Sequence, residues 1–203
     1  MKQTKPFLTL FLLFCCLFVT YGIGALDTSL YGVQGSALGW LSFSPESFKN
    51  LISLSLIVSP FLHLNTGHLL MNFFLFIPIS MVIERSYGPK ILSLLFIMIH
   101  VQSLLLLIVS NHWINLEGKF FLGLSHVVLG LYGYFALSKK NLFLTFFALS
   151  IIAIGKWQGQ DNLTLLAHVI GYLVGVELFV IRRSWEKFRS QRSNASVIIS
   201  NDP

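Results

Sequence analysis

The sequence predicts an all-α integral membrane protein, a bundle of six transmembrane helices, and three observations carry that prediction. The 203 residues are 55% hydrophobic and only 11% charged, with mean hydropathy +0.75, whereas a soluble domain carries roughly a quarter charged residues. The apolar residues gather into runs close to the ~20 that a helix needs to cross ~30 Å of hydrocarbon. Lys and Arg stand between those runs and after the last one, where they set membrane orientation. The formal charge of +6 is therefore a topology signal, and we expect no nucleic-acid partner.

One domain is expected over residues 1–203, with spans at about 7–26, 64–83, 90–110, 122–138, 141–154 and 162–181. The first follows Lys2 and Lys5 as a signal peptide would. Its uncharged stretch is long enough to span, and no small-x-small cleavage site follows the apolar core, so it reads as a retained helix. Cys15 and Cys16 are adjacent inside it; they allow no disulfide framework or metal spacing and read as small apolar side chains. Residues 27–63 form a long outer loop in which Trp40, Phe43 and Phe48 suit a segment at headgroup level. Pro60 and the "NTG" at 65–67 break the next apolar run, and Asn65 or Thr66 fits a helix N-cap. The fifth run is short, but Lys139 and Lys140 before it and Lys156 after it favour a crossing. Residues 184–203 read as a polar, frayed cytoplasmic tail.

With the N-terminus inside, eleven Lys and Arg fall on inner segments. Only Lys49, Lys119 and Lys156 fall outside, so both termini are expected in the cytoplasm. Depth can then be counted from the inner ends. Ser125 lies 14 residues from Lys139 and His168 lies 14 from Arg182, ~21 Å each at helical rise. His68 and Asn72 lie 16 and 12 residues above Glu84, ~24 and ~18 Å. Three helices thus bring Ser, His and a His/Asn pair to one layer, with His68 and Asn72 on one helix face. Ionisable groups at one depth in a membrane usually share a water-filled cavity.

Such a layer can do acyl-transfer chemistry. A serine hydroxyl becomes a nucleophile when a base takes its proton, and histidine is the usual base. His68, Asn72 and the Ser125 backbone N–H could stabilise the oxyanion. No acidic residue matches this depth, which makes a dyad the expected form. Gly171 and Gly175 share the His168 face, and Gly123, Gly130 and Gly133 offer small positions on the Ser125 helix. Small-residue stripes of this kind let helix backbones approach closely.

At "HLNTGHLLMN" (63–72), "ERSYG" (84–88), "GLSH" (123–126) and "AHVIGYLVG" (167–175) the sequence resembles the rhomboid family of intramembrane serine proteases, over roughly residues 39–181. H-x-x-x-N, G-x-S and A-H-x-x-G-x-x-x-G occur in order and on the expected spans. The resemblance implies a six-helix rhomboid-like bundle, Ser125 as nucleophile, His168 as general base, and His68 and Asn72 as oxyanion stabilisers. It also implies that Gly123, Gly171 and Gly175, with Glu84 and Arg85 at the inner interface, are structural. Neither metal nor cofactor is implied. The implied partners are single-pass transmembrane protein substrates and the lipid bilayer, and the expected location is the bacterial inner membrane, as a multi-pass protein.

Three positions depart from the family pattern. His126 stands where glycine is usual, which puts bulk and a competing base beside the oxyanion site. Leu129 replaces an aromatic residue, and a Trp-Arg pair before the second span is missing. A catalytically inactive rhomboid-like protein that binds membrane clients is the alternative, and retention of both Ser125 and His168 argues against it. A transporter would need polar residues continuing below the layer. A metalloprotease would need the glutamate of H-E-x-x-H, which His63 and His68 lack. His100 and Gln102 read as interhelical hydrogen-bonders, and Glu177, about one turn from Arg182, as a residue that snorkels or pairs with it. No sequence feature specifies an oligomeric state.

Overall fold

Helix boundaries fall where the chain supplies caps and breakers. The computed structural model describes residues 6–26, 41–44, 54–111, 113–114, 121–157, 160 and 162–200. Helix α1 is Phe7–Leu26, followed by the one-turn α2 at Ser55–Val58 and a 3₁₀ turn at Ser59–Phe61. Helix α3, Thr66–Tyr87, starts where the Asn65 side chain accepts the His68 N–H at 2.8 Å, satisfying one of the orphan first-turn donors. It ends at Gly88, whose φ of 86° only glycine adopts readily. Pro89 then opens α4, Pro89–Ser110, with its ring preset for the first helical position.

Helix α5 is Ser125–Lys139 and stops at Lys140 in the left-handed conformation. The Asn141 side chain then accepts from Leu144 N–H as α6, Leu142–Trp157, begins. Helix α7, Asn162–Ser200, runs on through the polar tail that the sequence suggested would fray. No Gly or Pro interrupts it beyond Gly175. Arg182 pairs with Glu186 one turn on, at 2.8 Å, and Arg192 stacks over Phe188. The pairing expected between Arg182 and Glu177 is replaced by this one.

Among the described residues, three helices are long and apolar enough to cross a membrane: Thr66–Tyr87, Pro89–Ser110 and Asn162–Arg192. Phe7–Gly22 and Leu142–Trp157 are shorter apolar helices. Helix α5 is the axis of the bundle, packed against α3, α4, α6 and α7. From His126 to Ala136 every residue except Phe135 is buried. Around it, Phe14, Phe18, Phe74, Ile97, Phe143 and Leu173 point their large apolar side chains outward. A coat of that kind on so hydrophobic a chain is the surface of an integral membrane protein.

Two details differ from expectation. Of the loop aromatics read as a headgroup segment, Trp40 and Phe48 lie outside the described residues. Phe43 is fully buried, and its backbone exchanges hydrogen bonds with Phe121, 2.8 and 2.6 Å, as an isolated antiparallel bridge. That bridge joins the first loop to the strand-like entry of α5. Glu84 is also buried. It accepts hydrogen bonds from Leu8 N–H (2.8 Å), Thr9 N–H (2.9 Å) and the Thr9 hydroxyl (2.7 Å). One carboxylate on α3 therefore caps α1, where it also meets the positive end of that helix dipole. Its neighbour Arg85 is exposed.

Candidate active site

The entry to α5 is built around Gly123. Its φ of 102° disfavours any L side chain, and its N–H donates to Ser59 O at 2.8 Å. A Cβ there would stand 2.9 Å from Cε1 of His68, so the missing side chain is what lets the His68 ring lie against this turn. Leu124 precedes the helix without a side-chain cap. The amides of Ser125, His126 and Val127 consequently have no acceptor four residues back inside α5. Ser125 is the first helical residue and sits at that donor-rich end.

His168, on α7, is 4% exposed, and its Nε2 lies 2.7 Å from Ser125 Oγ. In the tautomer with the proton on Nδ1, the hydroxyl donates to Nε2, which is the arrangement a general base requires.

Glycines explain how two helices come that close. A Cβ on Gly171 would fall on the His126 carbonyl, and one on Gly175 would fall on the Gly130 carbonyl. From the other side, a Cβ on Gly133 would meet the Tyr172 carbonyl, and one on Gly130 would stand 2.8 Å from Gly171 O. Backbone therefore packs on backbone along α5 and α7. In lipid, where apolar burial gives helices no net drive to associate, such close packing is a main source of attraction.

Helix α3 supplies the other polar groups. The His68 ring packs edge-on against His63, with centroids 5.1 Å apart, and touches Gly123 two residues before Ser125. Asn72 is 3% exposed, and its side-chain amide donates to His68 O at 3.1 Å. That bond holds one amide hydrogen on the helix backbone. Glu84 and Arg85 stand at the far end of α3 and take no part in this layer.

The His126 ring is hydrogen-bonded toward α4. It is fully buried with Nε2 2.9 Å from His100 Nδ1, and it packs edge-on against Phe121. His100 Nε2 lies 2.6 Å from Leu56 O. Because a carbonyl only accepts, His100 Nε2 carries the proton. In the neutral pair its Nδ1 then accepts from His126 Nε2–H. This chain of bonds links the start of α5 to α4 and α2, and engages Nε2 of the ring that the sequence suggested as a competing base. The pairing itself was missed in the sequence, although counting depth along the third and fourth spans would have brought the two rings within one turn of each other. Gln102, expected to bond between helices, has its Oε1 buried without a hydrogen-bond partner among the described residues.

The arrangement is a hydroxyl on a histidine nitrogen at the start of a helix, with a second imidazole against Gly123 two residues before it. Among the described residues no group of three or more His, Cys, Asp or Glu could hold a metal ion. No curated protein matches the chain. A family model described as the Rhomboid domain matches residues 50–185.

Proposed function

Because the chain belongs to the rhomboid family, whose domain covers most of its length, we propose that it is an intramembrane serine endopeptidase working through a Ser125–His168 dyad. The observation that carries this reading is the 2.7 Å contact between His168 Nε2 and Ser125 Oγ. Six crossings with both termini in the cytoplasm are part of the proposal. They follow from the Lys and Arg bias, with the short α5 enclosed by its neighbours and so relieved of contact with lipid. A bacterial inner membrane is the proposed location, and single-pass membrane proteins are the proposed substrates.

The chemistry follows from the contacts. His168 Nε2 takes the hydroxyl proton as Ser125 Oγ bonds to the scissile carbonyl carbon, and the carbonyl π electrons move onto oxygen. In this reading Ser125 N–H and the side chains of His68 and Asn72 receive that oxyanion, each donor being worth roughly 10²–10³ in rate. His168 then hands its proton to the amide nitrogen as the C–N bond breaks. Water, deprotonated by the same imidazole, releases the acyl group and restores the serine. The base in this cycle is His168, while His126 Nε2 is bonded to His100.

The test is cleavage of a model single-pass substrate in proteoliposomes by the wild type, Ser125→Ala and His168→Ala. Fragments should appear only with the wild type. Fragments of the same size from folded Ser125→Ala would refute the assignment.

A further inference from the structure

The end of the bundle opposite Ser125 carries two adjoining cavities that the catalytic reading does not use. One, about 290 Å³, lies among the ends of α3, α5 and α7, with Lys140, Arg182 and Arg183 in its wall beside Tyr87 and Tyr134. The other, about 380 Å³, runs along the outer side of α5 and α7 over Leu137, Phe179 and Val180, with Lys187 at its rim. Phe179 and Arg183 line both, so the two form one amphiphilic site.

The charges in it are unequal. Arg182 is fully engaged: Nε donates to Glu186 at 2.8 Å, Nη1 donates to the Tyr134 hydroxyl at 2.6 Å, and the guanidinium stacks 4.6 Å over Tyr87. That uses the one carboxylate in the walls. Arg182–Glu186 is the only ion pair among the described residues. Lys140, Arg183 and Lys187 are exposed and leave an excess of three positive charges, beside the Ser184 hydroxyl in the wall.

We propose that this site binds an anionic phospholipid. Its phosphate would sit among Arg183, Lys140 and Lys187, and its acyl chains would lie along Leu137, Phe179 and Val180. Cations above an open apolar trough match an amphiphile and not a soluble anion. A guanidinium fork suits phosphate oxygens, and basic pockets between helices at the cytoplasmic boundary are where anionic headgroups are available. A lipid held there would tie together the ends of α5 and α7, the helices that carry Ser125 and His168. The proposal rests on the membrane orientation proposed above and is independent of the catalytic reading.

The experiment is native mass spectrometry of the full chain, delipidated in neutral detergent and titrated with phosphatidylglycerol, phosphatidylcholine or glycerol phosphate. Arg183→Gln/Lys187→Gln is compared with Arg189→Gln/Arg192→Gln, which removes the same charge from the same helix outside both cavities. Lys140→Gln, on a different element, is an independent arm. The site predicts that phosphatidylglycerol binding falls roughly tenfold or more in the first pair and clearly in Lys140→Gln, while the control pair stays within about twofold of wild type. Equal loss in both pairs would mean diffuse attraction to the basic tail and would overturn the site. So would phosphatidylcholine binding as well as phosphatidylglycerol, or glycerol phosphate displacing the lipid at equal concentration. Cleavage retained by Ser125→Ala would refute the dyad and leave the lipid-binding result untouched, because the two readings fail separately.

Discussion

Replacing Gly171 with alanine adds one methyl group where α5 and α7 touch. Its Cβ would overlap the His126 carbonyl oxygen and stand 2.9 Å from the carbonyl carbon and 3.1 Å from His126 Cα. Carbon atoms in contact prefer ~3.5–4.0 Å, so the helices must separate by about 0.5–1 Å. The Ser125–His168 contact, one turn along α7 at 2.7 Å, opens with them. A displacement near 1 Å costs on the order of 10²-fold in rate, and overpacking costs about 1–3 kcal/mol of stability. Gly171→Ala should therefore cleave a transmembrane substrate and react with a fluorophosphonate at least tenfold more slowly, while remaining folded below a lowered melting temperature. Gly22→Ala is the control, since nothing lies within 4 Å of a Cβ added there. The assay pairs initial cleavage rates in proteoliposomes with labelling rates and melting curves. Wild-type cleavage and labelling by Gly171→Ala would refute the argument that glycine packing sets the distance between hydroxyl and imidazole.

The remaining predictions concern contacts on α3 and α4. His68→Ala and Asn72→Ala should each slow turnover by roughly 10²–10³ yet leave fluorophosphonate labelling detectable; wild-type turnover in both would remove α3 from the oxyanion site. His100→Leu strands the buried His126 donor at a cost of about 1–3 kcal/mol. Replacing both rings with leucine should recover part of that loss, and strictly additive melting shifts would mean that the two rings are not coupled. Glu84→Ala leaves the Leu8 and Thr9 amides without their acceptor, at about 1–3 kcal/mol for each stranded donor. A melting temperature unchanged from wild type would show that α1 does not depend on this cap.

What could be read in the sequence was what stands out against an apolar background. Asn65 and Lys139-Lys140 mark helix ends because each residue type has a conformational or solvation reason to be there. Ser125, His168 and the glycine stripe were legible for the same reason: every polar or small residue in a membrane span needs an explanation. Counting residues gives position along the membrane normal, and that was enough to put Ser125 and His168 in one layer. It says nothing about direction around the helix axis. His126 could be assigned a depth but not a facing, so its contact with His100 was invisible. Phe43 was read by its type as an interface aromatic, and only the three-dimensional bridge to Phe121 explains its burial. The tail after Arg182 looked frayed because its residues are polar, whereas the helix continues through it with i,i+4 contacts from Arg182 to Glu186 and from Arg192 to Phe188.

The central claim is that Ser125 is a nucleophile activated by His168. Its most direct measurement is intact mass and peptide mapping of the folded protein after treatment with a fluorophosphonate. The account predicts one adduct per chain, located on Ser125, absent in Ser125→Ala and strongly reduced in His168→Ala. An adduct on another residue, or equal labelling in His168→Ala, would contradict it.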